Sequence, residues 1–228
     1  MKKALIVRGG WDGHDPVRIS ELFAELLSRS GIEATISDSL ASFDDGESLK
    51  ALDLIVPVWT MGKLEKEATA NVLAAVEGGT GLAGCHGGMC DAFRENTDWQ
   101  FLTGGQWVAH PGNDGVEYAV SIRKGSSPLV EGIRDFSVKT EHYYLHVDPA
   151  VEVLATTRFP VADGPHAANG NVDMPVAWTK RWGAGRVFYC SLGHQAAVFD
   201  NGEARELMRR GLAWAAEGKA ASAAEGKQ

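Results

Sequence analysis

Short apolar runs alternate with amphipathic stretches in the first part of the chain. The apolar positions 19, 22, 23, 26 and 27 predict one helix, capped by Asp15 and ended by Gly31, and residues 65–77 predict a second. Apolar runs predict buried parallel strands at residues 4–8, 33–37 and 52–59 and directly before His86. This alternation predicts an α/β fold with a doubly wound, mostly parallel sheet, in which the loops after these strands share one rim.

After residue 90 the pattern changes, and antiparallel strands are added. A helix or turn is predicted over 91–101, a glycine-rich loop over 103–113, and a surface loop or lid over 159–173. The last part predicts a hairpin of strands 175–179 and 185–192, a helix over 203–216 and a disordered tail over 219–228. Further strands are predicted at 117–122, 136–147 and 151–157. Residues 1–218 therefore read as a single domain.

Composition and charge restrict the class of partner. The 228 residues are 44% hydrophobic and 23% charged, which is enough to bury one full core. The net charge of −8 disfavours nucleic acid and anionic membranes as partners. The N-terminal apolar stretch is too short for a signal peptide and no run has transmembrane length, so a cytoplasmic location is expected. The three cysteines lack metal-site spacing and are expected to be reduced core residues.

The stretch Thr80 to Met89 carries the most distinctive chemistry. Its sequence Gly-Cys-His-Gly-Gly gives the Gly-x-His-x-Gly spacing of a nucleophile elbow, with His86 where a serine or cysteine usually stands. An imidazole at this position can exchange protons near neutral pH or bind a metal. A hydrogen-bonded structural histidine fits the pattern equally well. The first loop lacks both the phosphate-binding and the dinucleotide-binding glycine patterns, so no nucleotide is expected.

Further candidates lie where predicted strands end and in the glycine-rich loop. His14 follows the first strand, and His194 follows a late strand as His86 follows its own. Pro111 holds His110 extended, and Trp107 is placed to stack on a sugar ring. Candidate substrate contacts are therefore Trp11, His14, Trp107, His110, Asn113 and Tyr143, although bracing and packing roles remain open for them.

Glu141 is the candidate carboxylate. In a strand over 136–147, Glu141 and Tyr143 face one side, whereas His142 and His146 face the other. At about 3.3 Å per residue, the two histidines lie about 13 Å apart, so a His-x-x-x-His metal site is rejected. Glu141 can serve as an acid or base, or belong to a structural hydrogen-bond network.

Four segments together resemble the trehalose-utilisation, or ThuA-like, family. They are residues 84–88, 105–113, 141–149 and 183–194, and the similarity runs nearly end to end. The resemblance implies a class I glutamine amidotransferase-like, flavodoxin-like three-layer fold and a role in carbohydrate metabolism. In the related amidotransferases a cysteine occupies the elbow and a late strand supplies its histidine. Here His86 and His194 take those places, so glutamine hydrolysis is not expected, and Cys85 is expected to point into the packed strand layer.

The leading hypothesis is an enzyme that processes a disaccharide or keto-sugar of the trehalose or 3-keto-glycoside type. His86, Glu141 and His194 are the candidate acid/base groups. In a variant of this hypothesis a divalent metal is held by two or three of the histidines, with His86, His110 and His194 as candidates. The competing hypothesis is a non-catalytic sugar-binding or assembly module with the same fold. A third is amidase or deglycase activity through a thiol, and a homo-oligomer is left open.

Overall fold

A computed structural model describes residues 1–159 and 165–225 of the chain. The helices are α1 Pro16–Arg29, α2 Gly46–Ala51, α3 Lys66–Glu77, α4 His86–Cys90, α5 Thr97–Thr103, α6 Gly202–Ala215 and α7 Gly218–Glu225. The strands are β1 Lys2–Gly10, β2 Ile32–Ser37, β3 Leu54–Thr60, β4 Gly81–Cys85, β5 Gly105–Ala109, β6 Val116–Ile122, β7 Phe136–Thr140, β8 Tyr144–Val147, β9 Glu152–Phe159, β10 Val172–Trp182 and β11 Gly185–Cys190. Short 3-10 turns join several of these elements.

Most of these strands form one mixed sheet. Within the described residues it has nine strands in the order β2-β1-β3-β4-β11-β10-β9-β6-β7. The strands β2, β1, β3, β4 and β11 are parallel, whereas β10, β9, β6 and β7 add antiparallel pairs. The carboxyl ends of β1, β3, β4 and β11 therefore lie at one edge, which confirms the predicted shared rim.

Helices cover both faces of the sheet. On one face Phe23 of α1 and Leu207 of α6 belong to one apolar cluster. On the other, Val72 of α3 and Trp99 of α5 belong to a second cluster. The central strands have apolar residues on both sides, as expected for buried parallel strands, so the fold is a three-layer α/β arrangement.

The region between residues 103 and 147 differs from the prediction. The predicted loop 103–113 contains the strand β5, which pairs with β8 in a separate two-stranded antiparallel sheet. The predicted strand 136–147 is two strands, because β7 pairs with β6 in the large sheet and β8 pairs with β5. Residues 141–143 therefore bridge the two sheets, and this bridge carries Glu141.

Two helix ends also differ from the prediction. Asp15 precedes α1, but its side chain makes no capping bond and its backbone is left-handed, with φ of 50°. The expected disordered tail 219–228 begins instead as the helix α7, where Lys219 donates hydrogen bonds to the carbonyls of Lys50 and Leu52. Residues 226–228 lie outside the described residues. In the predicted loop 159–173, residues 160–164 also lie outside them, and a 3-10 turn spans Pro165–Asn169.

Candidate active site at the carboxyl edge of the sheet

The elbow places His86 at the start of α4, directly after β4. His86 has a φ of 46°, a left-handed conformation that is uncommon for a residue with a side chain. A Cβ on Gly87 would lie 2.5 Å from the Cε1 and Nδ1 atoms of His14, and one on Gly88 would lie 3.0 Å from the Cα of Val58. Glycine is therefore required after His86 because the first loop and β3 approach so closely.

The carboxylate of Glu141 lies at the centre of a group of histidines. Its Oε2 atom lies 3.0 Å from His86 Nε2, 3.4 Å from His194 Nδ1 and 3.7 Å from His14 Nε2. These four side chains are buried, with at most 7% of each residue exposed. The second oxygen, Oε1, lies 4.0 Å from Nδ1 of the more exposed His110. Residues far apart in the sequence thus direct their polar atoms to one point.

Hydrogen bonds on the far side of two imidazole rings fix their orientation. His86 Nδ1 lies 2.8 Å from the backbone carbonyl of Ser191, and His14 Nδ1 lies 2.8 Å from Oγ1 of Thr60. A carbonyl oxygen only accepts, so Nδ1 of His86 carries the hydrogen and donates it. In the neutral ring, Nε2 of His86 then presents a lone pair to Glu141.

The pKa shifts in the cluster disfavour protonation of its imidazoles and of its carboxylate. Burial lowers the pKa of His86 to about 4, although the contact with Glu141 works in the opposite direction. Burial also lowers the pKa of His194. Burial alone would raise the pKa of Glu141, but the imidazoles of His14 and His86 hold it below its ordinary range. Because Nδ1 of His86 donates to Ser191, a hydrogen bond from Nε2 to Glu141 requires a protonated ring, and burial disfavours that charge. A bound cation in place of that proton would stabilise the 3.0 Å contact between Nε2 and the carboxylate.

The donor set fits a divalent metal ion. Within residues 1–159 and 165–225, one ligand atom from each of His14, His86, Glu141 and His194 lies within 4.8 Å of the others. Three imidazoles and one carboxylate suit zinc, iron or manganese, and the hydrogen bonds with Ser191 and Thr60 are typical supports for metal-bound histidines. Of the sequence candidates, His86 and His194 belong to this set. His110 lies outside it, and His14 and Glu141 complete it.

A cavity of about 140 Å³ opens beside this cluster. Its lining includes His14, His110, Trp107, Tyr143 and Trp11, all of which were predicted as substrate contacts. Tyr143 stacks on His86 with ring centroids 3.8 Å apart. The buried Trp107 Nε1 and His110 Nδ1 atoms have no hydrogen-bond partner in the described structure, so their hydrogen-bonding capacity is unused. Aromatic faces beside polar nitrogens suit a polyhydroxylated molecule.

Sequence reasoning missed or misplaced some residues of this region. Asn113 lies in an exposed turn, with φ of 54°, and is not part of the cavity lining. Asp91 and Arg94 do line the cavity. Their opposite charges at i, i+3 spacing could have indicated this ion pair from the sequence. Thr60 is the last residue of β3. The rule that parallel strands end at one shared edge of the sheet would have placed it near the site.

Two groups considered from the sequence lie away from this chemistry. His142 points to the opposite side from Glu141, where it contacts Thr157 at 3.1 Å and stacks on Tyr118. The thiols of Cys85, Cys90 and Cys190 are buried, and burial raises the pKa of each, that of Cys190 to about 12. Thiolate chemistry is therefore disfavoured at all three.

Comparisons with known proteins agree with this architecture. The sequence profile of the ThuA family, described as trehalose utilisation, matches residues 3–215. A ThuA-like protein from Bacteroides uniformis has a similar structure, with a TM-score of 0.75 at 20% identity over 94% of this chain and 91% of that one. A cytoplasmic protein from Salmonella typhimurium LT2 gives 0.64 at 12% identity, over 95% and 98%. A glutamine amidotransferase from Thermotoga maritima gives 0.52 at 12% identity, over 95% and 90%.

These results confirm the predicted resemblance and the predicted glutamine amidotransferase-like fold class. At 12–20% sequence identity, these structural neighbours establish only the fold of the chain. No curated protein shows a significant match to the chain. Among the helices described here, none is long and apolar enough to cross a membrane.

Proposed function

Because the chain belongs to the ThuA family of trehalose utilisation, we propose that it is an enzyme that processes a disaccharide or keto-sugar of the trehalose or 3-keto-glycoside type. We further propose that His14, His86, Glu141 and His194 hold a divalent metal ion for this reaction. Family membership supports the trehalose-related role at the level of the family, and the geometry of the site supports the chemistry. The single observation that carries the proposal is the convergence of three imidazole nitrogens on Glu141 Oε2.

The site residues divide into holding and reacting groups. A bound divalent ion would polarise a carbonyl oxygen or lower the pKa of a water molecule. His86 is buried and has a close polar neighbour at each nitrogen, which suits a ligand better than a proton carrier. His110 is half-buried, lines the cavity and makes no hydrogen bond through Nδ1, so it is the proposed base for a proton next to a ketone. Trp11 and Trp107 provide apolar surface for a sugar ring.

The proposed partner is a small sugar. The net charge of −8 supports neither a nucleic acid nor an anionic membrane as partner. A cytoplasmic location is proposed on the fold shared with the cytoplasmic Salmonella protein. A homo-oligomer stays open.

The first experiment is elemental analysis of the untagged protein beside three histidine variants. The wild type is expected to contain a near-stoichiometric transition metal, which His86→Ala loses. His110→Ala should keep the metal, because His110 lies outside the ligand set, and the exposed His146→Ala on β8 is the matched control. Absence of metal from the wild type after incubation with zinc, iron(II) and manganese would refute the metal proposal.

The second experiment tests the reaction on the same proteins. Trehalose and its 3-keto derivative are incubated with metal-loaded protein and followed by NMR. Turnover of the keto-sugar is expected in the wild type and in His146→Ala, and is expected to be lost in His110→Ala although its metal remains. Saturable sugar binding without any product would instead support the non-catalytic binding module.

A further inference from the structure

A second, larger cleft adjoins the cavity at the candidate active site. Its volume is about 660 Å³, which lies in the usual range for ligand pockets. Met61 and Arg94 line both spaces, so they form a ridge between the inner cavity and the outer cleft. The inner cavity has room for roughly five water volumes, which corresponds to one sugar ring and not two.

The ridge is held in a fixed position. Arg94 donates two hydrogen bonds to the buried carboxylate of Asp91, at 2.5 and 2.9 Å, and its guanidinium lies 4.5 Å from the ring centroid of Trp107. The backbone N–H of Met61 donates to the carbonyl of Asp91 at 2.9 Å. A bidentate ion pair with a stacked guanidinium loses little further freedom on binding a ligand. In the described structure these bonds use Nε and Nη2 of Arg94, which leaves Nη1 for a ligand oxygen.

The charges of the outer cleft balance. The cations Lys63, Lys66 and Arg94 stand against the anions Glu65, Glu95 and Asp98, while Asn96 and Thr97 add neutral polar groups. Phe93 and Leu64 supply apolar surface beneath them. A phosphorylated ligand would call for an excess of positive charge, which this lining does not have. Mixed donors and acceptors with an apolar floor suit a neutral, hydroxyl-rich group.

We infer that the outer cleft is a second carbohydrate subsite. It binds the neutral sugar unit that is attached to the reacting sugar unit, and the glycosidic bond between the two units passes over Arg94. The inference rests on the proposed function, since the reacting unit lies in the inner cavity beside Glu141. It also specifies the orientation of the bound sugar. The reacting ring enters past Trp11 and Trp107, and the attached ring remains over the α3 and α5 ends of the cleft. A free monosaccharide fills only the inner cavity and gains nothing from the cleft.

Two neighbouring glutamates supply a matched pair of variants. Glu65 lines the cleft, whereas Glu67, two residues later at the start of α3, does not. Both side chains are exposed, and both changes to tryptophan remove one negative charge. Glu65→Trp places a bulky ring in the cleft at the cost of a surface ion pair with Lys63, which contributes little to stability. Glu67→Trp controls for surface hydrophobicity and charge.

Calorimetric titration of metal-loaded protein with glucose, trehalose and trehalose 6-phosphate tests the inference. Trehalose is expected to bind at least about tenfold more tightly than glucose, the effect of one or two added hydrogen bonds, and no more weakly than its phosphate. In Glu65→Trp this preference should fall to about one with glucose binding unchanged, and in Glu67→Trp it should persist.

Three results would overturn the inference: equal binding of glucose and trehalose, a preference that survives Glu65→Trp, or tighter binding of the phosphate. Metal analysis of the same samples separates the two proposals. Retained metal with no preference for trehalose overturns the second subsite alone. Absence of both metal and sugar binding overturns the proposed function and the subsite together.

Discussion

The hydrogen bond between Thr60 and His14 gives a direct test of the proposed metal centre. Thr60 is 2% exposed, and its Oγ1 lies 2.8 Å from Nδ1 of His14, whose Nε2 faces Glu141. Thr60→Val keeps the shape of the side chain and removes the partner that orients the ring. Loss of such a partner typically weakens metal binding about 10- to 100-fold, or about 1.4–2.7 kcal/mol. We expect this loss in competition titrations against a chromophoric chelator.

Thr157→Val is the matched control for this experiment. Thr157 is also 2% exposed and pairs with a buried histidine, His142, at 3.1 Å, but on the side away from Glu141. Both variants leave one buried imidazole nitrogen unpaired, so both should lower the urea midpoint similarly. Only Thr60→Val should lower the metal affinity. If the two variants bind metal equally well, the reasoning about His14 is refuted.

Three further predictions concern the pH dependence of stability, the close packing at Gly87 and the reactivity of the thiols. Burial lowers the pKa of both His86 and His142 to about 4, below the unfolded value near 6.5, so the unfolded chain binds more protons in this window. The metal-free protein should therefore lose stability as the pH falls from about 6.5 to 4, and a urea midpoint that stays flat over this interval would contradict this. Gly87→Ala should weaken metal binding at least about tenfold, because the added Cβ would meet the ring of His14. Gly202→Ala, whose added Cβ would have no atom within 4 Å, should bind metal normally. The same chelator competition measures both variants. The three buried cysteines should resist a thiol reagent in the native protein, and turnover should survive the treatment; rapid labelling would revive a thiol mechanism.

The parallel half of the fold was predictable because its signals are local. The apolar runs that became β1 and β3 have the length of buried strands, and the helix that became α1 has apolar residues at helical spacing. The pairing of β5 with β8 could not be predicted in this way, because the two strands are far apart in sequence and β5 begins in a glycine-rich stretch. The break between β7 and β8 depends on that same pairing.

The site was predictable as a set of residues but not as an arrangement. Loops after parallel strands share one edge of a sheet, and this rule is enough to predict that His14, His86 and His194 lie close together. It gives no side-chain directions, so it ranked His110 as a metal ligand and omitted His14 and Glu141 from that set. Alternation along an extended chain did separate Glu141 from His142 correctly, and the two residues do point to opposite sides. The pair of Asp91 and Arg94 was visible in the sequence, but the contact of Arg94 with Trp107 of β5 forms only in the folded chain.

His86 stands at the elbow, where the resemblance to the amidotransferases implies a cysteine, and the rest of the site suits the imidazole. A left-handed elbow holds one side chain up at the sheet edge whatever its chemistry, and the glycines after His86 are needed for the close approach of β3 and the first loop. A thiolate nucleophile would require positive groups nearby, whereas here the elbow faces the carboxylate of Glu141 at 3.0 Å. That carboxylate would repel a thiolate, but it supplies the negative charge that a cation between imidazoles needs. The residue at the elbow and the carboxylate opposite it therefore make sense only as a pair, and together they favour cation-assisted chemistry over covalent catalysis through a thiol.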